Sequence, residues 1–214
     1  MKKSLLILSI ASFAIISSTH AQIKKGATLI GGNIGGGTSN TDNPNSPYVD
    51  QSSLAVGLRF GKAVRENLIV GGIASYSGNK WENANNSPTS STQRQYSAGF
   101  FARKYKPIGS SGFYIFGTGS LAGVLTRNTD TYPQPGTDTK TKATAVNLSV
   151  DPGVSYAVNK WLQIEAGLNN LLTLSYQVST REDLAGTHKT KSFNGNVNVS
   201  GQVPLYIGLT VLLN

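Results

Sequence analysis

Every odd position from Phe193 to Leu213 is apolar or glycine: Phe193, Gly195, Val197, Val199, Gly201, Val203, Leu205, Ile207, Leu209, Val211 and Leu213. The even positions open with Asn194, Asn196, Asn198, Ser200 and Gln202. A repeat of two puts one set on each face of a β-strand, whereas a helix would scatter both sets around its axis. The stretch is therefore a strand with one greasy and one wet face, far longer than the roughly five or six residues of an ordinary strand. The same alternation runs through Leu54, Val56, Leu58 and Phe60, through Thr144, Val146, Leu148 and Val150, and from Leu162 through Ile164, Ala166 and Leu168 to Leu172, Leu174 and Tyr176.

Eight such segments are predicted, at residues 25–36, 52–62, 67–78, 92–105, 112–127, 140–158, 161–179 and 192–213. The first and third are rich in glycine, which leaves their facing open. The connections alternate in length. Those after strands 1, 3, 5 and 7 are long and polar (GTSNTDNPNSPYVDQ, GNKWENANNSPTS, NTDTYPQPGTDT, TREDLAGTHKTK), and those after strands 2, 4 and 6 are short (AVREN, KPIGSS, NK). Up and down four times over, this is an antiparallel meander of eight strands with an apolar face on each. A sheet crosses a bilayer only if it closes on itself, because backbone polar groups in lipid must all be paired internally. Each segment reaches the roughly nine to eleven tilted residues that spanning takes. The expected fold is all-β, an eight-stranded up-and-down transmembrane β-barrel. Asp151-Pro152-Gly153 and Pro204 sit inside predicted strands, where a closed barrel has no free edge for a missing N–H. A hairpin at 151–153 would leave 154–158 too short to span, so both positions read as bulges or kinks.

Composition narrows the setting. Charged residues are 14% of the 214, well under the roughly 25% of soluble domains. With no Cys there is no disulfide scaffold, thiolate zinc site, thiol nucleophile or lipid-modified Cys anchor. Residues 1–21 carry Lys2 and Lys3, an apolar run from Leu5 to Ile16 and a small-residue end at Ala21. This has the form of a secretory signal peptide, its run being too short for a spanning helix. The expected mature domain is 22–214, with no further periplasmic domain and both termini on the periplasmic side.

Three stretches carry a family resemblance: LRFGKAVRENLIVGGIASYS at 58–77, FFARKYKPIGSSGFYIFGTGSLAG at 100–123 and DPGVSYAVNKWLQIEAGL at 151–168, one at each short turn. They resemble the outer-membrane β-barrel domain family, the small OmpA/OmpX-type barrels frequent in Bacteroidota. The resemblance implies residence in the outer membrane with long loops outside, insertion by the barrel assembly machinery, and no cofactor. The chain departs from the pattern at its end, where Leu212, Leu213 and Asn214 replace the usual terminal aromatic.

The alternation assigns Arg59, Arg103, Asp151 and Glu165 to the inward face, all in the half nearer the short turns. Charges in a narrow barrel must pair or stay hydrated. Two cations and two carboxylates predict a structural salt-bridge cluster that fills the lumen, and a catalytic or proton-relay carboxylate pair is the lesser alternative. Phe60, Phe100, Tyr156 and Trp161 near the short turns, and Tyr76, Tyr96 and Tyr176 near the long loops, form two interfacial belts. His188 is the one histidine beyond the signal. A hydrolase would need it with a Ser and an acid at the barrel rim, and no local motif supplies them, so it reads as a solvated loop residue. One His without Cys makes no metal site. The glycine run at 31–37 lacks phosphate-loop spacing.

The expected role is structural or interactive, through four external loops whose ligand is unspecified. The alternatives are a narrow, porin-like pore, a membrane hydrolase using His188, and a soluble barrel with inverted polarity that binds an apolar ligand. The formal charge of +9 first suggests nucleic acid or an anionic membrane. Sorted by topology, the excess falls on Lys24, Lys25, Lys62, Arg65, Lys104, Lys106 and Lys160 against Glu66, a ring at the short-turn rim. That ring suits anionic lipid headgroups and offers nucleic acid no contiguous stripe.

Overall fold

A computed structural model describes residues 23–43, 46–83, 89–134, 136–169, 171–197 and 205–213. Ten β-elements follow one another: β1 (Thr28–Asn43), β2 (Ser46–Arg65), β3 (Leu68–Asn83), β4 (Ser90–Pro107), β5 (Phe113–Thr131), β6 (Thr139–Ala157), β7 (Leu162–Leu168), β8 (Leu172–Asp183), β9 (Gly186–Val197) and β10 (Leu205–Leu213). All pair antiparallel with their neighbours, and β10 pairs with β1 through Thr28↔Leu213 to Gly32↔Leu209, which closes the ring. β7 and β8 are the lower and upper parts of one barrel strand, since β6 pairs with β7 at Gly153–Ala157 and with β8 at Lys140–Val150. β10 and β9 divide the next strand in the same way, pairing with β7 and β8. The result is a closed eight-stranded antiparallel barrel. Beyond Gly32 the hydrogen-bonded neighbour of β1 among the described residues is β2 alone.

The short turns lie where the sequence puts them. Residues 66–67 join β2 to β3, with Asn67 at φ 57°, a left-handed geometry that Asn tolerates better than most side chains. Between β6 and β7, Asn159 Oδ1 accepts from the Trp161 and Leu162 backbone N–H at 2.9 and 2.8 Å, an Asx-type turn.

The long connections correct the expectation of polar loops. β1 runs to Asn43 and β2 starts at Ser46; β8 runs to Asp183 and β9 starts at Gly186. Most of the first and fourth polar stretches is therefore paired strand, and the strands extend well past their apolar stretches. Ser, Thr and Asn lower hydropathy without stopping backbone pairing, and Thr favours strands.

Pro152 lies within β6, in register with β5 through Gly117↔Pro152. The expected irregularity is on the other side. Between Val150 and Gly153 the chain spends two residues, while the facing strand spends four between Leu172 and Gly167. The residue without an N–H thus falls where the seventh strand breaks into β7 and β8, which also corrects the continuous strand predicted at 161–179. Pro204 lies outside the described residues, as do residues 1–21.

In and out alternate along each strand. On β10, Leu205, Ile207, Leu209 and Leu213 face outward and exposed, while Tyr206, Thr210 and Leu212 are buried. The outer wall presents Leu58, Phe60, Phe100, Leu121, Leu125, Val146 and Leu148, all exposed. This polarity is opposite to that of a soluble barrel with an apolar interior. The aromatic residues of both expected belts lie on outward positions: Phe60 and Phe100 flank Gly72, Tyr156 packs on Phe113 with ring centroids 4.7 Å apart, and Tyr76 packs on Tyr96 at 5.2 Å. Trp161 and Tyr176 are exposed as well.

Candidate functional site

The lumen is built in three layers. At the short-turn end an apolar stopper is formed by Ile23, Ala27, Leu29, Ala63, Ile69, Tyr105, Tyr114, Phe116 and Leu212, all buried. The segment before β1 folds across this end, held by Asn67 N–H donating to Ile23 O at 3.0 Å and Gly26 N–H to Ala63 O at 2.8 Å. That hold drives the Ile23 side chain, 2% exposed, into the mouth.

Above the stopper lies a charged layer. Glu165 on β7 accepts from two guanidinium groups, Arg59 Nη1 to Oε1 at 2.7 Å and Arg103 Nη1 to Oε2 at 2.5 Å. Arg103 also donates from Nε to Thr118 Oγ1 at 2.8 Å and from Nη1 to Tyr105 Oη at 3.2 Å. Its guanidinium carbon lies 4.2 Å from the Phe116 ring centroid, and that of Arg59 lies 5.2 Å from the Tyr206 ring. The Glu165 and Arg103 side chains are each 1% exposed and that of Arg59 is 15% exposed. A buried carboxylate shared by two cations keeps its charge only through such pairing, and stacking on aromatic faces adds to it. Three of the four inward charges expected together thus form one ion-pair group. Asp151 lines the space just above, where it accepts from Ser149 Oγ at 3.4 Å.

The third layer is a cavity of about 370 Å³ that rises from Arg59, Arg103 and Tyr206 toward the long hairpins. Its walls are polar and cross-linked: Ser75 to Ser97 at 2.6 Å, Ser120 to Ser149 at 2.7 Å and Ser175 to Asn147 at 2.7 Å. Hydroxyls and amides there can hold water or a small polar solute, with the charged layer and the stopper lying beneath it.

Sequence reasoning missed the inward aromatics Phe101, Tyr105, Tyr114, Phe116 and Tyr206. The signal was present, since the parity that turns Arg103 inward also turns Phe101 and Tyr105 inward. His188 lies on β9 opposite Arg181, with Nε2 3.7 Å from Asp183 Oδ1. Arg181 Nε approaches the same carboxylate at 3.2 Å. Among the described residues no serine joins that group, and no cluster of three His, Cys, Asp or Glu is arranged for a metal.

No family model matches the chain, and no curated protein matches it. Among solved structures it is similar to the outer membrane protein OprG from Pseudomonas aeruginosa, at 16% identity over 91% of this chain and 99% of that one, with a TM-score of 0.50. It is also similar to Neisserial surface protein A, at 18% identity over 87% and 97% of the two chains, with a TM-score of 0.42. The translocator domain of the autotransporter NalP from Neisseria meningitidis gives 9% identity over 99% and 94%, with a TM-score of 0.40. At these identities the likeness is one of fold, that of a closed outer-membrane β-barrel.

Proposed function

We propose that this chain is an integral outer-membrane barrel, closed to solute flow, that acts as a structural or surface-interaction protein through its long hairpins and carries out no catalysis. The observation that carries the reading is the union of an apolar outer wall with a lumen stopped at one end. Lipid is the solvent that fits the first, and the stopper beneath the Arg59–Glu165–Arg103 layer is incompatible with a continuous aqueous path. The short turns then lie on the periplasmic side and the hairpins outside, with the cationic ring at the short-turn rim among inner-leaflet headgroups. Residues 1–21 act as the export signal, and the barrel assembly machinery and the membrane lipids are the partners this reading requires. The lumen layer has a structural role, and no cofactor enters the proposal.

Two measurements test it. In planar bilayers the purified protein is expected to give no steady single-channel steps; steady steps would favour the second reading, a narrow porin-like pore fed by the polar cavity. On intact cells an impermeant amine reagent should leave Lys62 and Lys106 unlabelled, and their modification would reverse the proposed orientation.

A further inference from the structure

The strand registers bring together cations that lie far apart in the sequence. On the long-hairpin side, Arg94 on β4 is directly opposite Arg127 on β5, and Arg127 is directly opposite Lys142 on β6. The same row continues through Thr180 on β8 to Lys189 on β9. All four cations are exposed, and their positions have the parity of the outward residues Tyr96, Leu125, Val146 and Phe193. Directly opposed side chains have Cβ atoms about 4.5–5.5 Å apart, and like charges so placed repel. Among the described residues none of the four forms an ion pair, while nearby Glu82 is taken by Lys80 at 2.5 Å. The closest outward carboxylate by register is Glu182, which faces Lys140 rather than the row.

Height along the wall says what should neutralise them. Arg94 comes two residues past Tyr96, Arg127 two past Leu125, Lys142 four past Val146 and Lys189 four past Phe193. Each cation thus stands beyond the last outward apolar side chain of its own strand, with Thr144 between on β6 and a further exposed cation, Lys191, between on β9, where acyl chains give way to headgroups. One end of the row also has a recess. Gly78 pairs with Arg94, and without a side chain there the wall holds a cavity of about 260 Å³ bounded by Leu54, Tyr76, Lys80, Thr92 and Arg94. Its lower edge is apolar and its upper edge cationic.

We propose that the Arg94–Arg127–Lys142 row, with the Gly78 recess, is a binding site for the phosphate-bearing headgroup of an outer-leaflet lipid. Guanidinium groups present paired N–H donors that match phosphate oxygens, and a bound phosphate ester, with its roughly one to two negative charges, offsets most of the mutual repulsion of the three cations. The apolar belt continuous with the row favours a lipid over a soluble polyanion. This site rests on the reading of the outer wall as lipid-facing.

The test uses the 15N-labelled mature chain refolded in neutral detergent and titrated with dihexanoyl phosphatidic acid. Amide shifts at Gly78, Arg94, Arg127 and Lys142 should saturate together. In the triple variant R94Q/R127Q/K142Q the midpoint should rise about a hundredfold, at roughly 1 kcal/mol per cation near a charged surface. Gly78→Val keeps every charge but fills the recess, and it should weaken binding several-fold; a dispersed spectrum establishes that each variant is folded. Equal midpoints for wild type and triple variant would overturn the proposal. So would the same shifts from dihexanoyl phosphatidylcholine, or from inorganic phosphate at the same concentration, the latter pointing to a free-anion site. Release of the chain from native membranes by carbonate would instead refute the membrane reading itself, and it is scored separately from the titration.

Discussion

Replacing Glu165 by alanine is expected to lower the unfolding midpoint in detergent more than removal of any other single lumen charge. Its carboxylate is the common acceptor of Arg59 and Arg103. Without it, two guanidinium groups stay beside each other between an apolar stopper and a polar cavity. Breaking a buried pair by deleting one partner costs about 3–5 kcal/mol, because the charge left behind is uncompensated. Arg103 keeps Thr118 and Tyr105 but loses its counter-ion. Arg59→Ala should cost less, since that side chain already reaches water and its loss leaves the Glu165–Arg103 pair intact. Heat-modifiable gel mobility and urea titration in neutral detergent both read the effect. An unchanged midpoint for Glu165→Ala would mean the layer contributes nothing to stability, and a drop as large for Arg59→Ala would contradict the unequal burial of the two cations.

Gly71→Val should abolish the folded, heat-modifiable form altogether. A Cβ at Gly71 would lie 2.1 Å from Phe60 O and 2.4 Å from Gly61 Cα, both backbone atoms of the neighbouring strand. Gly71 is directly opposite Gly61, whose own Cβ would meet Phe101 Cζ at 3.0 Å. Gly61 makes room for Phe101 and Ile69, while Gly71 lets the backbones of β2 and β3 approach. Ordinary overpacking costs about 1–3 kcal/mol because side chains give way; here the obstacle is the paired backbone, which moves only by breaking the ladder. Gly117 is the control. It has nothing within 4 Å of an added Cβ and lies on the outer wall, so Gly117→Ala should fold and melt within about 0.5 kcal/mol of the wild type. Normal folding of Gly71→Val would show that β2 and β3 do not approach this closely.

These two expectations differ in how far the sequence foretells them. Period-two alternation was enough to place Arg59, Arg103, Asp151 and Glu165 inward and Phe60 and Phe100 outward, because a side chain's face depends only on its own strand. Which inward groups touch is set by the offset between strands. Glu165 and Arg59 are 106 residues apart and on strands that are not neighbours in the ring, so their contact follows from closure and stagger rather than from any local motif. The same dependence hides the outward row at Arg94, Arg127 and Lys142, three unremarkable charges until register aligns them. Polarity misled at the hairpins, where Ser, Thr and Asn read as loop while their backbones stay paired. The break between β7 and β8 was visible only as Pro152, on the strand next to the one that gives way.

The length of those hairpins has a mechanical consequence. β2 alone runs from Ser46 to Arg65, which at about 3.4 Å per residue and a tilt of roughly 40° rises about 50 Å along the barrel axis. The apolar band such a barrel needs is about 25 Å tall. Nearly half of the β2 staircase therefore extends beyond such a band as hydrogen-bonded sheet, paired with β1 and, from Val49 on, with β3, and irregular only between Thr41 and Asn43 at the hairpin end. The paired backbone of β1, β2 and β3 carries the hairpins past that band as a parapet whose standoff distance is set by strand length. Shortening β1 and β2 by matched pairs of residues should lower that parapet in even steps of about 5 Å, the rise of two tilted residues.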